Sequence, residues 1–234
     1  MHGPETMTEP HSSPLKKRSL HSVGRGGEPP QTPPGVSRVL QALVEELARL
    51  PGIGKKTAER LAYHLLRVPK EEALRLAHAI GEVKESVRHC KTCFHITEGE
   101  VCSICLDAER DSGVVCVVEQ SKDVYAIEAT SSYHGRYHVL LGALAPLDGV
   151  EPEHLTIEPL LARIRVGGIH ELIIATNPNF EGDGTALLLR EKLRGVPDVR
   201  VTRIARGIPS GSHIEHVSRT IVQDALEGRR EMSD

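Results

Sequence analysis

The 234-residue sequence predicts an α+β protein built from several units. Three observations predict it. Apolar residues recur at 3-and-4 spacing through 36–88, four cysteines crowd into 90–105, and strand-like and helical stretches then alternate to about residue 205. A helical unit, a cysteine motif, an α/β domain with a mostly parallel sheet and a C-terminal helix are therefore expected in that order.

Residues 1–35 come before this pattern. They hold seven of the fifteen prolines, five glycines and four serines, with few apolar side chains. Such a segment cannot bury enough surface to offset its ordering entropy, so it is expected to be a disordered tail. The folded pattern begins at Val36. Translation starting at that valine would omit the tail, which intact mass of the native protein decides.

The helical unit, 36–88, is expected to contain three helices. Val36, Val39, Leu40, Leu43, Val44, Leu47 and Leu50 mark one amphipathic face, and Ala58, Leu61, Ala62, Leu65 and Leu66 mark a second. A third helix runs from about Pro69, a favoured first-turn residue, through Leu74, Ala77, Ile80, Val83 and Val87.

Between the first two lies Leu50-Pro51-Gly52-Ile53-Gly54-Lys55-Lys56-Thr57. A sharp turn of this kind needs Gly52 or Gly54 in a conformation that side chains reach only at a cost. Unpaired amides at the start of the next helix, with the helix dipole, can hold a phosphate oxygen. Lys55 and Lys56 add point charges, and Arg60 lies one turn further on. Contacts of this kind fix position on a nucleic-acid backbone and read no sequence. A nucleotide-binding P-loop is excluded, because its first glycine would fall at Arg49 and a helix, not a strand, precedes it.

Cys90, Cys93, Cys102 and Cys105 form a C-x2-C-x8-C-x2-C pattern, expected as a zinc-binding motif over 89–108. Two such knuckles suit one tetrahedral Zn2+, and four thiolates leave no open position, so the expected ion is single and structural. His89 and His95 are surplus to that set. Cys116, inside a predicted strand, reads as a small buried core residue.

The α/β domain, expected over 112–205, has strands at 114–119, 137–144, 171–176 and 199–205. Helices are expected over 122–129, 157–165 and 184–195, and a C-terminal segment, 206–234, carries a last helix near 213–228. Glu119 ends the first of these strands, where open α/β sheets place their sites. Glu181 and Asp183 lie in the loop after the third, and a magnesium site needs several carboxylates together. Glu119 therefore reads either as part of a weak metal or partner site with Glu181 and Asp183, or as a strand-end carboxylate held by loop amides.

Charge and composition narrow the function. Residues 36–89 carry ten Lys/Arg against seven Asp/Glu, whereas 90–234 carry fifteen against twenty-two, so a polyanion should prefer the helical unit. With no Trp and only six Phe or Tyr, the chain has few platforms for stacking a single strand. No run of about 18 apolar residues is present, which excludes a membrane-spanning helix. The N-terminus has no signal-peptide core, and a cytoplasmic protein is expected, with cysteines as ligands or free thiols.

These stretches, taken together, resemble the bacterial RecR recombination-mediator family over roughly residues 36–230. LPGIGKKTAERLAYHLL (50–66) is similar to its helix-hairpin-helix and the four cysteines to its zinc motif. VVEQSKDVYAIE, GRYHVLLGALAPLDGV and IIATNPNFEGDGTALLL are similar to its Toprim domain. TRIARGIP and ALEGRR are similar to its C-terminal segments.

The resemblance implies a non-enzymatic clamp in DNA repair that forms a homo-oligomeric ring, commonly a tetramer. Such proteins act with RecO and sometimes RecF to load RecA at single-stranded gaps covered by single-strand-binding protein. It implies that Gly52, Gly54, Lys55 and Lys56 line the DNA-facing surface and that zinc braces the joint between helical and Toprim parts. It also implies no catalytic residue, since Asn177-Pro178-Asn179 stands where catalytic Toprim proteins carry D-x-D. The alternatives are a magnesium-dependent Toprim nuclease or topoisomerase-like enzyme using Glu119, Glu181 and Asp183, and a zinc-stabilised adaptor that binds only proteins. Two departures stand out. The usual acidic V-G-G-D-L-E-Y-A-D stretch reads Ser210-Gly211-Ser212-His213-Ile214-Glu215-His216-Val217-Ser218 here, and the 35-residue tail is additional.

Overall fold

The computed structural model describes residues 37–231, and the expected tail, 1–35, lies outside them. The chain divides into two compact units, with the boundary at Arg75.

The first unit contains α1 (Arg38–Ala48) and α2 (Lys55–Arg67), and α3 (Lys70–Ser86) begins in it. Ser37 caps α1, its hydroxyl accepting the Leu40 amide. Such a cap satisfies one of the otherwise unpaired first-turn donors. Val44 of α1 packs on Ala58 and Ala62 of α2, with Leu40, Leu47 and Ile53 around them. Small residues at 58 and 62 let the two helices approach closely. Of the two candidate turn glycines, Gly52 takes the left-handed conformation, at φ +78°, while Gly54 is the extended N-cap residue of α2.

The second unit starts with a short antiparallel pair, β1 (Arg88–His89) and β2 (Ile96–Thr97), followed by the single turn α4 (Ser103–Leu106). Then come β3 (Asp111–Val118), α5 (Ser121–Glu128), β4 (Gly135–Val139), α6 (Ile157–Arg165), β5 (Glu171–Ile174), α7 (Phe180–Lys192), β6 (Arg200–Arg203) and α8 (Arg219–Glu227). The four longer strands form an all-parallel sheet in the order β4-β3-β5-β6. The chain steps from β3 to one side and then back to the other, so the strand order reverses between β3 and β5. Open α/β sheets bind ligands at such a reversal, beyond the carboxyl ends of the strands.

β3 is covered on both faces. Val115 and Val117 join Leu160, Leu161 and Ile164 of α6 and Leu189 of α7 in one core. Cys116 and Val118, alternating with them as strand geometry requires, join Val124 of α5, Tyr137 and Val139 in the other. Burial pushes the Cys116 thiol up to about 12, which makes it an inert core residue.

The largest departures from the sequence expectation are at three element boundaries. The second long strand ends at Val139, not near 144, because Leu141 takes a positive φ of 67° after the last ladder bond, Leu140 N–H to the Val118 carbonyl. α7 begins at Phe180, not 184, because the Asn179 side chain caps it by accepting the Gly182 amide at 2.8 Å. The last helix begins only at Arg219, capped by Ser218, and Ile214–His216 forms a separate 3-10 turn.

Candidate functional site

At the hairpin, α2 starts without the anionic help a helix N-terminus ordinarily receives. Its first turn contains no acidic residue, and Gly54 offers no capping side chain. The amides of Thr57 and Ala58 turn back to the Gly54 carbonyl at 2.9 and 3.0 Å, while those of Lys55 and Lys56 find no acceptor among the described residues. Lys55, Lys56 and Arg60 are exposed, and no ion pair among the described residues engages them. The helix dipole disfavours each of two lysines at its positive end by about 0.3–1 kcal/mol. An anion held by the free amides would reverse that sign.

The four cysteines converge. Their sulfur atoms all lie within 4.8 Å of one another, and every one is buried. Tetrahedral Zn2+ with Zn–S bonds of ~2.3 Å sets its thiolates ~3.8 Å apart, so the donor set fits that ion. The Cys90 sulfur accepts the amides of Thr92 at 3.4 Å and Cys102 at 3.3 Å, the pattern of a knuckle built to carry thiolate charge. Hydrogen bonds from Cys105 and Cys93 hold the Cys102 thiol far down, and its bond to Cys102 drives the Cys93 thiol up. His89 and His95 stand outside the set.

The cysteine module is bonded into the sheet. The Val139 amide, on the free edge of β4, donates to the Cys93 carbonyl at 2.8 Å, and the Ile96 amide donates to the Ser121 hydroxyl at 3.2 Å. Phe94 meets the His138 ring edge-on at 5.4 Å. Below it, Arg110 donates to Glu128 at 3.0 and 2.5 Å and to the Gly135 carbonyl at 3.1 Å, while Tyr137 Oη donates to Glu128 at 2.6 Å. The Arg110 hydrogen bond holds the Glu128 carboxyl below the usual range. Sequence reasoning missed this network. Its one signal was a lone arginine just before a strand whose centre is apolar.

The three Toprim-region acids do not come together: among the described residues the cysteines are the only group of three or more metal-type ligands close enough to share an ion. Glu119 is buried at the end of β3 and accepts the Asn177 amide at 2.8 Å and the Asn177 side-chain NH2 at 2.5 Å. Gly182 closes this corner, since a Cβ there would stand 2.1 Å from the Asn177 carbonyl oxygen and 2.8 Å from Glu119 Oε1. Asp183 instead pairs with Arg203 at 2.5 Å and with Arg206, which also reaches Asp224 of α8 at 3.7 Å. These arginines hold the Asp183 carboxyl below the usual range, Arg206 most strongly. Glu181 is half-buried in the first turn of α7. Arg203 and Arg206 were also missed; one arginine within the last strand and a second three residues further on were the available signal.

Comparison with known proteins bears on this geometry. Residues 40–84 match the family model described as RecR, helix-hairpin-helix; residues 87–107 match the RecR zinc finger domain with four cysteines; and residues 113–205 match the Toprim domain. The recombination protein RecR of Rhodopirellula baltica is 50% identical over 198 residues, 85% of this chain and 99% of that protein. The chain belongs to the RecR family. RecR of Chloroflexus aurantiacus is 54% identical over 81% of this chain and 93% of its own length, and RecR of Myxococcus xanthus 50% over 82% and 98%. The RecR models cover the free-amide hairpin and the four-cysteine cluster, and the Toprim model covers the parallel sheet with its Glu119–Asn177 corner. No helix among the described residues is long and apolar enough to cross a membrane.

Proposed function

We propose that this chain is a recombination mediator in bacterial DNA repair that binds DNA through its hairpin and performs no strand chemistry. One observation carries the reading: the N-terminus of α2 offers free amides beside Lys55 and Lys56, with no acid to satisfy them among the described residues. A DNA phosphate supplies what is missing, independent of sequence. Gly52 makes the turn, Gly54 leaves the helix end open, and Arg60 extends the cationic surface. Four cysteines hold one zinc ion that serves structure.

The non-enzymatic part of the reading is supported by the Toprim corner. Glu119 spends its oxygens on Asn177 and Asp183 on arginines, so no cluster of free carboxylates waits for magnesium among the described residues. Family membership extends the proposal to a cytoplasmic homo-oligomeric ring, a tetramer, that works with RecO, joined in some members by RecF, to load RecA at gaps. The half-buried Glu181 and Asp183 then lie on a partner surface of the Toprim domain, and the buried Glu119 braces the loop before them, rather than the three forming a catalytic centre.

The test is RecA filament formation on gapped DNA covered by single-strand-binding protein, with RecO present and strand integrity followed on the same samples. Faster loading with uncut strands supports the mediator. Magnesium-dependent nicking removed by Glu119→Gln would replace it with the enzyme reading.

A further inference from the structure

The side of α2 turned away from α1 is unusual for a solvent face. Ala58 and Ala62 are fully buried against α1, with Leu61 and Leu65 half-buried beside them. At 3.6 residues per turn, the residues roughly opposite on the helix are Lys56, Arg60, Tyr63 and Arg67. All four are exposed, Tyr63 by 50%, and among the described residues none of the three cations is engaged by an ion pair. An aromatic ring therefore stands in the middle of a cationic stripe, half in water, serving no core.

A ring flanked by cations asks for a flat apolar surface that carries negative charge alongside. A nucleobase with its neighbouring phosphates is that ligand: the base stacks on the ring and the cations meet the backbone. A second copy of the chain set symmetrically on the same stripe would place three cations against three. Lys56 and Tyr63 are separated by about 10 Å along the helix, about three base steps of one strand. The phosphate at the start of α2 and a base on Tyr63 thus fit within one gap edge. In unbroken duplex every base is already stacked on its neighbours, whereas the first unpaired base of a gap is free.

We propose that Tyr63 is a stacking platform for a single unpaired base at the edge of a gap, and that it makes the hairpin favour gapped over continuous duplex. The proposal rests on the reading of the hairpin as a phosphate-binding unit. With so few aromatic residues elsewhere, the chain reads one base rather than tracking a strand.

The experiment places 2-aminopurine at the first unpaired position of a gapped duplex and follows its fluorescence and binding with wild type, Tyr63→Ala, Tyr63→Phe and Lys55→Glu. Stacking quenches the probe with wild type and Tyr63→Phe, and Tyr63→Ala loses the quench. The gapped-to-duplex affinity ratio then falls by about 5- to 150-fold, the range for one base stacked on one aromatic ring. Quenching retained at saturation in Tyr63→Ala, or an unchanged affinity ratio, overturns the proposal. So does a change in oligomeric mass with the ratio unaltered, which would make the ring a contact between protein chains. Lys55→Glu separates the two levels: no loss on either DNA refutes phosphate binding by the hairpin, whatever Tyr63 does.

Discussion

Asn177 donates both its backbone N–H and its side-chain NH2 to Glu119, at 2.8 and 2.5 Å, and so joins the end of β3 to the loop after β5. This is where the strand order reverses and where an α/β sheet ordinarily receives a ligand. The corner is filled by protein instead, with Gly182 pressed against the Asn177 carbonyl and Glu119. An asparagine is needed at 177 because an aspartate side chain would leave Glu119 Oε2 without its donor and set a second carboxylate against it.

Asn177→Asp is accordingly expected to destabilise the fold by about 1–3 kcal/mol, the cost of leaving a buried acceptor without its donor. In a protein of this size that lowers Tm by about 2–12 °C. Thermal unfolding of the two proteins at neutral pH checks it, and an unchanged Tm would mean that the corner is not held by this pair.

Removal of the metal should reach the sheet through Cys93. The Val139 amide on the β4 edge depends on the Cys93 carbonyl, so chelation is expected to speed its hydrogen exchange while Val117, inside the sheet, stays protected. Exchange measured with and without chelator tests this. Equal protection of Val139 in both would show that the cysteine module keeps its shape without zinc.

His138 makes stability depend on pH. Burial pushes it down to about 4, with the charge of Arg163 adding to the effect, against about 6.5 in an unfolded chain. Above about pH 6.5 the ring is neutral in both states and its contribution is complete. As pH falls toward 4, only the unfolded chain takes up the proton, and stability falls by up to about 1.4 kcal/mol per pH unit. Urea unfolding between about pH 8 and 5, a window spanning the unfolded value, should show a shallower pH slope for His138→Gln than for wild type. Equal slopes, or an imidazole resonance titrating near its ordinary value, would contradict the assignment.

The sequence was most informative where one periodicity dominated. The 3-and-4 spacing placed α1 and α2, the glycines marked the hairpin, and cysteine spacing identified a cluster that the fold does bring together. It was least informative where distant side chains decide. Nothing local tells that Glu128 will meet Arg110 and Tyr137, or that Asp183 will meet Arg206, because those pairs form only once strands and helices are assembled. The end of β4 was misplaced for a different reason. LLGAL has strand composition, but a backbone turn at Leu141 overrides it.

The central claim is that the hairpin holds DNA phosphates regardless of sequence, and salt-titrated binding tests it most directly. Wild type and Lys55→Glu would be compared on gapped duplexes of two unrelated sequences. Affinity is expected to fall linearly on a log–log salt plot, with the variant weaker on both sequences alike and its slope smaller by about one. A loss confined to one sequence, or binding indifferent to Lys55, would contradict it.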